Sequence, residues 1–162
     1  MKELKLEISI RKYLYEELSD FDKQLIEAAK EATKRSYAPY SHFNVGAAVS
    51  LEDGTIVTGA NQENAAYPSG LCAERTALFH AGSQYPDKAV TTIAIAASNS
   101  EGFTELPVTP CGACRQVLLE TEMRYKRPIR VLMTARHSYM RYSARKTCFH
   151  CHSLINLWTK RF

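Results

Sequence analysis

Cys72-Ala73-Glu74-Arg75 and, further along the chain, Pro110-Cys111-Gly112-Ala113-Cys114 are the two stretches from which the rest of this sequence is read. Cys72, Cys111 and Cys114 are candidate ligands for one zinc ion. Zinc favours thiolates, and a site with three protein ligands keeps a fourth position for water, whereas a structural site normally closes with four. Glu74 lies two residues after the first cysteine. It is near enough to reach such a water without binding the metal, which makes it the candidate catalytic base. Both cysteine groups fall at expected helix starts, where unsatisfied N–H groups and the helix dipole favour the thiolate form. Three thiolates and Zn²⁺ carry a net negative charge that works against ionising the water. Arg75 is placed to offset it by hydrogen bonding to a ligand sulfur. Pro110 suits the entry to a helix, where its missing N–H costs nothing.

Two plainer readings compete. A single Cys-x-x-Cys is also the spacing of a thioredoxin-like redox pair, but here no Trp or Gly-Pro flanks it, and a third cysteine accompanies Glu74. A structural zinc needs a fourth ligand, and the nearest histidines, His42 and His80, stand at no ligand spacing.

Outward from these stretches the chain alternates helices and strands. A helix begins near Ser19 or Asp20, either of which can cap it, and carries Phe21, Leu25, Ile26, Ala29 and Ala32 on one face before stopping ahead of Pro39. Strands follow at 45–51 and 55–60, with Asp53-Gly54 as the hairpin signal between them. Residues 60–68 form a polar, amide-rich loop. A helix runs over 72–81, a buried strand over 90–97, and a loop continues to Pro110. A second site helix opens at Cys111 and carries Val117, Leu118 and Leu119, and a last strand covers 129–133. The pattern predicts an α/β fold, with helices on both faces of a mixed sheet. The expected divisions are an N-terminal extension (1–19), one domain (20–137) and a divergent tail (138–162).

The chain of 162 residues, 45% hydrophobic and 23% charged, fits one globular domain. It has no apolar run of bilayer length, and Met1-Lys2-Glu3-Leu4-Lys5 does not resemble the start of a signal peptide, so a cytoplasmic location and no membrane partner are expected. Five cysteines, an odd number, with two Cys-x-x-Cys pairs, point to metal or redox chemistry in a reducing compartment rather than a disulfide framework. The net charge of +4 arises in the tail, because residues 136–162 hold six basic side chains and no acid. The body is slightly acidic and gives no sign of a nucleic-acid partner.

Four motifs carry a resemblance over roughly 37–137: S-H-F-N-V-G-A-A-V (41–49), G-A-N-Q-E-N-A-A-Y-P (59–68), C-A-E-R-T-A (72–77) and P-C-G-A-C-R-Q-V (110–117). The sequence resembles the small homotetrameric zinc-dependent cytidine deaminases. The resemblance implies a three-layer α/β/α sandwich around a five-stranded mixed sheet and one Zn²⁺ per subunit. The implied activity is hydrolytic deamination of cytidine and deoxycytidine in pyrimidine salvage, with Glu74 as the proton shuttle. It also implies that Phe43 packs on the pyrimidine, that Asn61 and Glu63 hydrogen-bond the ribose, that Tyr67 lines the sugar pocket partly for a neighbouring subunit, and that Ala73 contacts substrate. Arg75 and Pro110 are supporting residues. The plainer alternatives are a core aromatic for Phe43 and a solvated loop for Asn61 and Glu63. A free nucleoside fits better than a nucleotide, since the first ligand is Cys and the amide loop holds no Lys or Arg for a phosphate. A deaminase of another aminopyrimidine nucleoside, or a non-catalytic zinc- or nucleoside-binding module, is the alternative.

The resemblance ends near residue 138. Such enzymes carry Asp-Leu-Leu-Pro-x-x-Phe near the C-terminus, and this chain reads Thr147-Cys148-Phe149-His150-Cys151-His152 instead. Read one nucleotide back, with suitable synonymous codons, the same stretch spells Asp-Leu-Leu-Pro-Leu-Pro-Phe, which points to a frameshift. The rival is a second metal site at Cys148, His150, Cys151 and His152, four ligands crowded into five residues. The coding DNA tests the frameshift: codons for 146–153 that spell the motif in the alternative frame are expected, and codons that cannot spell it remove this account.

Overall fold

The protein is described here from a computed structural model, which describes residues 10–143. The frameshift reading and the second candidate metal cluster lie outside those residues. In chain order the elements are β1 (Arg11–Tyr13), α1 (Asp20–Ala32), β2 (Asn44–Leu51), β3 (Ile56–Ala60), α2 (Ala73–Gln84), β4 (Val90–Asn99), β5 (Gly102–Phe103), α3 (Gly112–Tyr125), β6 (Arg130–Thr134) and β7 (Tyr139–Ser143).

The strands form one mixed sheet in the order β1-β7-β6-β4-β2-β3, with β5 paired to β4 off this path. Among the described strands only β4 and β6 run parallel, and their crossover is α3. Strand alternation divides the sheet between two cores. Ala47, Val49, Ile93, Ile95, Val131 and Met133 meet Ala77, Leu78 and Ala81 of α2 and Leu118 of α3. The intervening Ala48, Ala94, Ala96 and Leu132 meet Leu25, Ile26 and Ala29 of α1. Three layers result, with α1 on one face and the two site helices together on the other.

The expected α/β/α class holds, but the sheet has seven strands rather than five. β5 is a two-residue hairpin return inside the stretch read as loop. β1 and β7 come from the segments read as extension and tail. β7 pairs with β6 along its length, and β1 adds to β7 through Arg11–Arg141, Lys12–Met140 and Tyr13–Tyr139. Tyr139 reaches the α1 core and Tyr142 the α2/α3 core, so this part of the expected tail belongs to the packed domain.

Local signals explain the main elements. Ser19 caps α1 by accepting from the Asp22 N–H at 3.1 Å. Asp22 also holds Arg130 of β6 through two hydrogen bonds of 2.8 and 3.2 Å, tying α1 to the sheet. Gly54 takes φ +87° in the β2–β3 turn. The glycine that matters most for the site is Gly59 on β3. A Cβ there would meet the Ala77 nitrogen at 2.4 Å and the Ala73 oxygen at 2.8 Å, so its absence lets the backbone of α2 sit directly on the sheet.

Gly59→Ala should therefore cost about 1–3 kcal/mol, since backbone must move to make room. Gly82→Ala, in the last turn of α2 with only the end of Arg124 nearby, should instead gain about 0.4–1 kcal/mol by restricting the unfolded chain. Denaturant unfolding of the two variants checks both signs.

Candidate active site

Cys72 is the N-cap of α2 and Cys111 the N-cap of α3, both with extended backbone, and Cys114 sits in the first turn of α3. The two helices pack on the same sheet face, so their N-termini meet at one end of the sheet. There the sulfurs of Cys72 and Cys111 lie 3.8 Å apart and those of Cys111 and Cys114 3.5 Å apart. All three fall within 4.8 Å of one another. Four tetrahedral ligands on bonds of about 2.3 Å would place neighbouring sulfurs roughly 3.8 Å apart, so the donor set fits a zinc ion in both chemistry and spacing. Among the described residues no His or carboxylate joins the group, which leaves a fourth position for a small ligand.

Cys114 is fully buried, while Cys111 is exposed. Among the protein groups alone, Cys72 is drawn down to about 5, first by its hydrogen bond with Cys114 and also by the Arg75 guanidinium. Cys114 is pushed up, because it donates to Cys72 and is buried. The cluster thus prefers one thiolate beside a protonated partner until a cation balances further charge. Arg75 reaches Cys72 Sγ at 3.7 Å and the Gly70 carbonyl at 3.5 Å through Nη2. Its buried Nε finds no hydrogen-bond partner.

Glu74 is only 5% exposed and lies beside the sulfur cluster. Burial, ahead of the Cys72 charge, raises its carboxyl above the ordinary carboxylate range. A cavity of about 460 Å³ opens over it, with Asn61, Glu63, Tyr67, Cys72, Ala73 and Arg75 on the wall. That volume suits a small organic ligand.

Three expected residues do not line that cavity: Cys114 and Pro110 are buried, and Phe43 is half-buried. Asn61 is committed to the backbone on both sides of Phe43. Its Oδ1 accepts from Val45 N at 2.8 Å and its Nδ2 donates to the Phe43 carbonyl at 3.0 Å, leaving one amide hydrogen free for a ligand. Glu63 accepts from the Tyr40 and Ser41 N–H groups and from the Ser41 hydroxyl. The Ser41 bond is the leading cause that holds its carboxyl below the usual range. Sequence reading missed Ser41 and the opposite wall, Val108 and Thr109. Ser41 was open to discovery as the polar residue two before Phe43. Val108 and Thr109 belong to an irregular stretch with no periodicity to mark a facing.

Comparison with known proteins gives this geometry a family. The model of the cytidine and deoxycytidylate deaminase zinc-binding region matches residues 19–127, two thirds of the chain. The chain belongs to this family. A cytidine deaminase of Halalkalibacterium halodurans is 50% identical over 96 residues, 59% of this chain and 68% of the relative. One from Sporosarcina psychrophila is 50% identical over 97 residues, 60% of this chain and 67% of the relative. The crystal structure of cytidine deaminase from Burkholderia pseudomallei superposes with a TM-score of 0.66 at 42% identity, covering 75% of this chain and 91% of that one.

Removing one sulfur should empty the site. Cys114→Ala is expected to weaken zinc binding by more than about 100-fold, read as loss of zinc from the purified chain by elemental analysis.

Proposed function

We infer that the chain catalyses the zinc-dependent hydrolysis of cytidine and deoxycytidine to the corresponding uridine nucleosides and ammonia. The observation that carries this is the buried Glu74 carboxylate beside three convergent thiols, at the base of a cavity of nucleoside size. Cys72, Cys111 and Cys114 would hold the ion, which when bound supplies Lewis acidity and makes water nucleophilic near neutral pH. Glu74 takes a proton from the water that attacks C4 of the base and delivers it to ring N3. It then takes the proton of the new C4 hydroxyl and passes it to the amino group, the C4–N bond breaks and ammonia leaves, so that one buried carboxylate handles each transfer in turn. Arg75 supports Cys72 and keeps its sulfur oriented.

On the same reading, Asn61 and Glu63 present donor and acceptor atoms to the ribose, Ala73 lines the wall beside Glu74, and Phe43 backs the base. Pro110 sets the start of α3. Tyr67 is 87% exposed although it lines the cavity, and Tyr37, Tyr40 and Leu106 are exposed as well. A second chain packed on these side chains would complete the pocket, in keeping with a homotetramer. A site of free thiols suits a reducing compartment, so we assign the enzyme to the cytoplasm and to recovery of pyrimidine nucleosides.

The purified chain is expected to consume cytidine, seen as loss of the cytosine absorbance. Glu74→Gln should reduce kcat by about 10²–10⁴-fold with zinc content unchanged. Equal turnover by the variant would remove Glu74 from its role. Light scattering on the eluted protein should show a four-chain species, and a monomer at micromolar concentration would exclude the tetramer.

A further inference from the structure

One hydroxyl joins the two halves of the substrate pocket. Ser41 Oγ donates to Glu63 Oε1 and accepts from the Phe43 N–H at 3.1 Å. The Phe43 carbonyl in turn accepts from Asn61, which also receives the Val45 N–H. The residues assigned to the ribose and the residue assigned to the base are therefore linked through consecutive hydrogen bonds, running Glu63–Ser41–Phe43–Asn61.

Both ends of this chain are fixed to backbone. Residues 61–63 are pinned between Tyr37 and Leu71: Gln62 pairs with Leu71 through bonds of 2.9 Å in each direction, Tyr37 N donates to the Asn61 carbonyl at 3.0 Å, and Glu63 N donates to the Tyr37 carbonyl at 2.8 Å. The loop between Tyr37 and Asn44 has no such ladder. It turns through His42 at φ +53°, a left-handed conformation uncommon outside glycine. Its approach to residues 61–63 is held by bonds to side chains, and among the described residues the Ser41 hydroxyl is the Glu63 donor that also touches Phe43.

We propose that Ser41 is a positioning residue for the sugar end of the pocket. It orients the Glu63 carboxylate and locks the Phe43 backbone to it, so that the grip on the ribose hydroxyls and the loop that backs the base are set as one unit before substrate arrives. Glu63 accepts three donors from the loop, and a carboxylate offers about four acceptor sites. One direction is left for a ribose hydroxyl, and Ser41 determines which direction that is.

This rests on the assignment of Glu63 to the ribose. Steady-state kinetics of Ser41→Ala, Ser41→Thr, Glu63→Ala and the Ser41→Ala/Glu63→Ala double variant test it, with cytidine and with 2′,3′-dideoxycytidine. Ser41→Ala should raise KM for cytidine about tenfold while kcat changes far less. The penalty should largely vanish for the dideoxy analogue, which lacks the secondary hydroxyls. Ser41→Thr, which keeps the hydroxyl, should restore KM to within about threefold. The double variant should be little worse than Glu63→Ala alone, because Ser41 acts through Glu63. A KM effect for Glu63→Ala with none for Ser41→Ala, or effects that add in the double variant, would overturn the proposal. No effect of Glu63→Ala on cytidine would overturn the ribose assignment beneath it. A thermal midpoint within a few degrees of the parent for Ser41→Ala separates these outcomes from a loss of folding.

Discussion

The structure depends on bringing two helix N-termini to one point. Thiolates gather only where something offsets their charge; without a metal the cluster keeps the Cys72 thiolate by pairing it with the Cys114 thiol and the Arg75 guanidinium, and a cation must balance the rest. That convergence constrains the rest of the fold. The site helices must share one face of the sheet, while among the described residues α1 packs on the other, and the strands must carry small residues where helix backbone comes close. Gly59 under α2 meets that need directly. The parallel β4–β6 pair meets another, because its crossover is α3, which starts at the same end of the sheet as α2.

The second organising feature is polar and local. The amide-rich loop is exposed over most of its length, yet it is anchored at residues 61–63. Its backbone is bridged on both sides, by Tyr37 and by Leu71, and its Asn61 and Glu63 side chains are largely spent on holding the neighbouring loop. A site built in this way is preorganised: the groups that would meet a ribose already have fixed directions, and little ordering is left to the substrate. The cost is coupling, since a change in one loop reaches the other through a single hydroxyl.

How far the sequence could be read depended on which physical signal each element carries. The site cysteines and Glu74 were legible because metal chemistry fixes residue type and spacing together. α1 was legible from its one apolar face, and the β2–β3 hairpin from Asp53-Gly54. β1 was not, because Arg11 and Lys12 on an exposed edge strand give no hydrophobic alternation. β7 was hidden for a different reason: Tyr139 and Tyr142 serve opposite cores, and between them Met140 and Arg141 mask the period. Side-chain bonds that replace a ladder, as Asn61 and Ser41 do, leave no trace in periodicity. Resemblance could suggest a role for Asn61, but only coordinates show its amide engaged with Val45 and Phe43.

The proposed chemistry needs a three-thiolate zinc site with an open fourth position beside Glu74. X-ray absorption at the zinc edge of the purified chain addresses it most directly. Three sulfur neighbours at about 2.3 Å with one oxygen or nitrogen neighbour at about 2.0–2.1 Å are expected. Four sulfur neighbours, or a full set of sulfur and histidine ligands with no exchangeable position, would make the site structural and rule out a zinc-bound water there.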